Sequence, residues 1–264
     1  MEDIIKYFTD MGVERWTAIA YIIVCILVFI MAIVAFVMRI RVWLTYRHTN
    51  KIKTVNHLNS QDVARQALDK VGLEHIQVKK CGFFRALVFG NSYSLSKKTI
   101  FLRKNIYNKD SLTAVGLALQ KVGVARLCEG DSKLARTRNR MQVIGLFGPF
   151  LFIPIVLLGV VIDLLVLNTG GGLSVGSIIV GFIFLGFAFV ETLLNIPVER
   201  KANKMALETI DEAGICTKEE RDAIEAVLKT YIVAYVCEFI LTVLRIIQFI
   251  LEIVMRAQIS SKNN

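Results

Sequence analysis

The stretch Asn108-Lys109-Asp110-Ser111, followed by Leu112-Thr113-Ala114-Val115-Gly116-Leu117-Ala118-Leu119-Gln120-Lys121-Val122-Gly123-Val124-Ala125-Arg126-Leu127, decides how this chain is read. The opening polar cluster offers an N-cap, whose side chain can accept from a free backbone N–H at a helix start. Behind it Leu112, Val115, Leu119 and Val122 recur at helical spacing as one apolar stripe, which predicts a helix to about Leu127. In its second half that helix carries Gln120-Lys121-Val122-Gly123-Val124.

Around this helix the chain is far more apolar than a soluble domain, with 264 residues, 55% of them hydrophobic, and a mean hydropathy of +0.55. Four runs reach the ~20 residues that a helix needs to cross a bilayer. They are Trp16 to about Met38, about Val143 to Leu167, about Val175 to Leu194, and about Tyr231 to Val254. The first exceeds the ~7–15 apolar residues of a signal peptide and no small-residue cleavage site follows it, so it is expected to stay as an anchor.

Lys and Arg gather on the cytoplasmic side of membrane spans. Arg39, Arg41, Arg47, Lys51 and Lys53 follow span one, Lys133, Arg136, Arg138 and Arg140 precede span two, and Arg200, Lys201 and Lys204 follow span three. The loop from Asn168 to Ser174 has no charge. Both termini are therefore expected outside, with everything between spans one and two in the cytoplasm. The net charge of +10 is explained by topology and attraction to anionic lipids, and no nucleic-acid partner is expected. Five cysteines, at 25, 81, 128, 216 and 237, form no CxxC pair and read as reduced thiols.

The expected organisation is an extracytoplasmic tail (1–15), transmembrane helix 1 with its basic exit (16–45), a cytoplasmic domain (46–141), a transmembrane hairpin (142–196), a cytoplasmic helical pair (197–230), transmembrane helix 4 (231–256) and a tail (257–264). In the larger cytoplasmic part, Val63, Ala64, Ala67, Leu68 and Val71 make a helical stripe ending at Gly72. A strand-like Ile76-Gln77-Val78 and a Gly-punctuated aromatic segment through Phe89 come next. Tyr93 to Leu95, the turn Ser96-Lys97-Lys98, and Thr99-Ile100-Phe101-Leu102 then suggest a hairpin. The smaller part divides at Gly214, and Thr217 with Glu220 makes a capping box opening a helix that runs into span four.

From about Ser60 to Ile253 the chain resembles the YugP-like neutral zinc metallopeptidases of bacterial membranes. The resemblance rests on Val63-Ala64-Arg65 before Gly72-Leu73, on Thr99 to Leu102, on Ala114-Val115-Gly116, on Arg138-Asn139, on Pro197-Val198-Glu199 with Ala202 onward, and on Thr230 to Ala234. It implies an α+β fold: four transmembrane helices with a small cytoplasmic zincin-like domain, helix-strands-helix, inserted between spans one and two. It also implies a His-Glu-x-x-His helix, in which two imidazoles at i and i+4 hold Zn²⁺ and the carboxylate activates a bound water, completed by a later glutamate.

At those positions stand Gln120 for the first histidine, Lys121 for the catalytic glutamate and Val124 for the second histidine; only Glu199 keeps a usable group. Asn91-Ser92 replaces an aspartate-histidine pair, and Arg200 and Lys201 stand where the family has an aromatic and then an acidic or amide residue. His48, His57 and His75 all precede the helix and read as solvated. No catalytic residue and no zinc are expected. Lys121 is expected to take the metal's place beside Glu199, against the alternative that both are solvated charges.

Glu238, Arg245 and Glu252 lie at heptad spacing in span four, on one face, and are expected to be mutually paired in a helix packed on span one or a partner. Asp163 and Glu191 are expected near span ends, in reach of water. The favoured reading is a catalytically inactive protein of the bacterial cytoplasmic membrane, binding lipids and either a protein partner, such as a paralogous subunit, or an extended polypeptide. The candidate groove edge for the polypeptide is Thr99, Ile100, Phe101 and Leu102. The alternatives are an active peptidase with unorthodox ligands and an ion or solute transport component using the span-four charges.

Overall fold

The computed structural model describes the backbone of residues 2–130, 132–167 and 172–263; for 143–150, 166, 167, 185, 188 and 263 it describes the backbone alone. The chain is mostly helical, with a small three-stranded sheet. It divides into two units, one formed by Met1–Thr45 with Val233–Asn264 and the other by Tyr46–Ile232.

In the first unit, α1 (Glu2–Asp10) precedes α2 (Arg15–Thr49), which runs antiparallel to the last helix, α9 (Lys218–Asn263). The direction follows from the pairs between them: the Gln258 amide donates to Thr17 Oγ1, Gln248 approaches Cys25 Sγ, and Arg39 Nε donates to Glu238 Oε1 at 2.6 Å. Val13, Ala18 and Met255 form a small core at one end. The expected mutual pairing of Glu238, Arg245 and Glu252 does not occur. Residues seven apart on a helix are separated by ~10 Å of rise, beyond side-chain reach. Glu238 therefore pairs with Arg39, and Glu252 with Arg256 one turn on, at 2.7 Å.

The second unit holds α3 (Ser60–Lys70), β1 (Gln77–Lys80), α4 (Phe83–Val88), β2 (Ser92–Ser94), β3 (Thr99–Leu102), α5 (Lys104–Tyr107), α6 (Leu112–Glu129), α7 (Lys133–Ile162), a π-helical turn (Asp163–Leu167) and α8 (Gly172–Ala213). Ser111 caps α6 by accepting from the Ala114 N–H, and Thr217 and Glu220 exchange the reciprocal hydrogen bonds of a capping box at the start of α9. Helices α3 and α8 stop before Gly72 (φ +73°) and Gly214 (φ +60°), where the left-handed backbone suits a residue without Cβ. The aromatic segment before Phe89 is helical, as α4.

The sheet order is β1-β3-β2, with β3 parallel to β1 and antiparallel to β2. Thr99, Ile100, Phe101 and Leu102 are thus the central strand, and the sequence-based expectation that they form an open groove edge is corrected. β1 takes the second edge of β3, so β3 itself has no free backbone ladder for an incoming peptide. A core of Leu68, Ile76, Ile100, Leu102, Leu119 and their neighbours joins sheet, α3 and α6, and each such side chain contributes ~1.5–3 kcal/mol on burial.

Among the described residues two helices, Arg15–Thr49 and Gly172–Ala213, are long and apolar enough to cross a membrane, and Leu151–Leu165 is a shorter apolar stretch. Of the uncharged loop expected from Asn168 to Ser174, residues 168–171 lie outside the described residues, and Gly172 opens α8. Asp163, expected in reach of water, is 1% exposed; its carboxylate accepts from both the backbone N–H and the hydroxyl of Ser174 in the first turn of α8. The N-terminal N–H groups of that helix have no intrahelical partner, which is why a carboxylate settles there.

Candidate active site

Gly123 sets the site by letting α6 lie against α8. A Cβ there would stand 2.2 Å from the backbone oxygen of Ala202 and 3.0 Å from the Ala206 nitrogen, so only glycine permits this approach. Three residues before Gly123, Gln120 faces the same helix. Its amide donates to Glu199 Oε2 at 2.5 Å and to Asn203 Oδ1 at 3.1 Å, and Asn203 in turn donates to the Leu228 carbonyl at 3.3 Å.

Glu199 is the centre of this arrangement. Its side chain is 5% exposed, and the carboxylate oxygen not used by Gln120 faces two cations, Lys121 Nζ at 3.5 Å and Arg138 Nη2 at 3.2 Å. Lys121 is 12% exposed. Burial pushes its ammonium below the ordinary lysine value; Glu199 pulls it back up, and Arg138 lowers it further. Arg138, from α7, also lies 3.8 Å from Glu191 Oε1, though its Nε has no hydrogen-bond partner among the described residues. Two cations and two carboxylates therefore balance in a nearly dry space. Glu191 is drawn to this cluster rather than to solvent alone.

The structure thus brings Gln120, Lys121 and Glu199 together, as the sequence suggests. Val124 is buried in the apolar core beside α8 residues such as Val198 and Ala202. Arg138, Asn203 and Glu191 escaped the sequence reading as members of the site. No local signal in the sequence names them, because they meet Gln120 and Glu199 only through the packing of α6, α7 and α8. Glu238, Arg245 and Glu252 belong to the other unit.

A second charged centre closes the far end of α6. Glu129 accepts from the Tyr93 hydroxyl at 2.6 Å and from Lys98 Nζ at 2.5 Å, with His75 Nε2 at 3.5 Å. Burial alone would raise its pKa, but Lys98, Tyr93 and His75 outweigh burial and hold it below the usual carboxylate value. His57 stands 3.9 Å from Asp110, so neither histidine reaches Glu199.

These features define a mostly helical protein with a buried cluster of charges where α6, α7 and α8 meet. Residues 23–254 match the family model described as "Putative neutral zinc metallopeptidase", and the chain belongs to that family. No curated protein and no solved structure matches it.

The residues present do not fit the zinc that the family implies. Catalytic zinc takes three N, S or O ligands from the protein and keeps one position open. Around Glu199 the neighbours are an amide that donates its N–H to the carboxylate, an ammonium and a guanidinium. Lys121 and Arg138 thus set two positive charges beside the one carboxylate. Among the described residues no group of three His, Cys, Asp or Glu side chains gathers to hold an ion.

Proposed function

We propose that this chain is a degenerate, YugP-like member of the family that no longer hydrolyses peptides and serves in a bacterial membrane as a scaffold for a protein partner. The observation that carries this reading is the company of Glu199: one oxygen accepts from Gln120 and the other faces Lys121 and Arg138. Two cations already beside the carboxylate repel a further one, and an ammonium at the expected position of the base cannot accept a proton. Of the two non-catalytic roles, scaffolding is favoured over capture of an extended polypeptide, because β3 is paired on both edges. In this reading the chain crosses the membrane four times with both termini outside, the charges of α9 marking a helix–helix contact, and it binds no zinc.

Metal analysis of the purified full-length protein tests the proposal. The expected result is zinc well below stoichiometric, unchanged in Glu199→Gln. One zinc per chain, lost on that substitution and accompanied by peptide hydrolysis, would overturn it.

A further inference from the structure

We propose that the cavity between α4, the β2–β3 turn and α7 is a binding site for the headgroup of an anionic phospholipid, with α4 resting in the lipid interface. The cavity measures about 470 Å³ and is lined by three cations, Arg85, Lys97 and Arg140, and by no carboxylate. None of the three has an ion-pair partner among the described residues. Arg85 lies over the Phe101 ring, with its Cζ 3.7 Å from the centroid, and its Nε is buried without a hydrogen-bond partner among the described residues. Its Nη2 donates to Ser92 Oγ at 3.5 Å, and a guanidinium held in this way on an aromatic face, lining one cavity with two further cations, is matched to a phosphate.

The rest of α4 decides between a lipid and a free anion. Phe83, Phe84 and Leu87 are 77%, 81% and 71% exposed. On a helix these positions fall within ~100° of one another, while Arg85 and Phe89 turn to the other side, toward the cavity. A short helix with bare aromatic and aliphatic side chains on one face and a cationic pocket beneath the other is built like an interfacial helix. The α7 side of the cavity points the same way: Arg140 and Gln142 line it, and the apolar run of the chain opens at Val143.

A polypeptide is the less favoured occupant. The free edge of β2 is already taken by a side chain: Asn139 Nδ2 donates to the Tyr93 carbonyl at 2.9 Å, and its Oδ1 accepts from the Leu95 N–H at 3.1 Å. The amide of Asn139 thereby stands in for one peptide unit of a neighbouring strand and closes the ladder to an added one.

The test uses the full-length protein in vesicles, with Trp16 and Trp43 replaced by Phe and a single reporter introduced as Phe84→Trp. Brominated phosphatidylglycerol is expected to quench the reporter more strongly than brominated phosphatidylcholine. That preference should fall about tenfold in Lys97→Gln/Arg140→Gln, which changes two exposed residues and leaves Arg85 packed on Phe101. An unquenched reporter, or a lipid preference unaltered by the double substitution, would remove the proposal. Displacement of the brominated lipid by an extended acidic peptide would transfer the site to a protein partner.

Discussion

Helix α6 takes part in two carboxylate centres, and the telling difference between them is exposure. At its C-terminal end Glu129 meets Tyr93, Lys98 and His75 with 16% of its side chain still exposed, whereas at its middle Glu199 meets Lys121, Arg138 and Gln120 with 5% exposed. Lys98 is 44% exposed and Lys121 12%. An ion pair that keeps contact with water can lose a partner and be rehydrated; one without that contact strands a charge. Similar chemistry therefore makes a surface latch at one end and a structural keystone at the middle.

The sharpest way to break this contrast is Glu199→Gln, which leaves Lys121 and Arg138 buried with only Glu191 to face them. A loss of ~3–5 kcal/mol is expected, read as a lowered denaturant midpoint of the detergent-solubilised protein. Next comes Gly123→Ala, whose Cβ collides with the Ala202 carbonyl. It should cost ~1–3 kcal/mol by pushing α8 off α6, and crosslinking between α6 and α8 should fall while Glu129 keeps its partners. Glu129→Gln should cost only about 1 kcal/mol, since water replaces the lost partner. A Glu129 effect as large as that of Glu199 would erase the distinction.

Lys121→Met is expected to cost less than Glu199→Gln, about 1 kcal/mol in thermal unfolding, because Glu199 keeps Arg138 and Gln120 although two carboxylates then share one cation. The pH profile separates the two centres independently. Glu129 has a folded pKa below the ordinary value, so its contribution is complete above ~4.3 and fades as the pH falls through the folded value. Lys121 also has a lowered pKa, but as a base, so the unfolded chain holds its proton more tightly. Stability should then rise with pH between the lowered folded value and ~10.4, and Lys121→Met should flatten that rise.

The helices were largely legible because their signals are local. The stripe of Leu112, Val115, Leu119 and Val122, the cap at Ser111 and the box at Thr217 and Glu220 each lie within a few residues of one another. The sheet order was not, since nothing near Thr99 to Leu102 announces that Gln77 to Lys80 will cross over to pair beside it. In the site, Gln120, Lys121 and Glu199 could be aligned from a family pattern. Arg138 and Asn203 became partners only through the packing of α7 and α8, which is tertiary information. The α9 charges misled for a related reason: heptad spacing puts residues on one face without bringing them within reach of each other.

Pro197 lies inside the unbroken α8, two residues before Glu199. Lacking an N–H, it cannot complete the backbone hydrogen bond to the preceding turn, and its ring crowds the carbonyl there. The helix is therefore softest just where its apolar length gives way to the charged centre. Bending of the apolar length would concentrate at this joint, just ahead of the charged cluster, where a backbone hydrogen bond is missing.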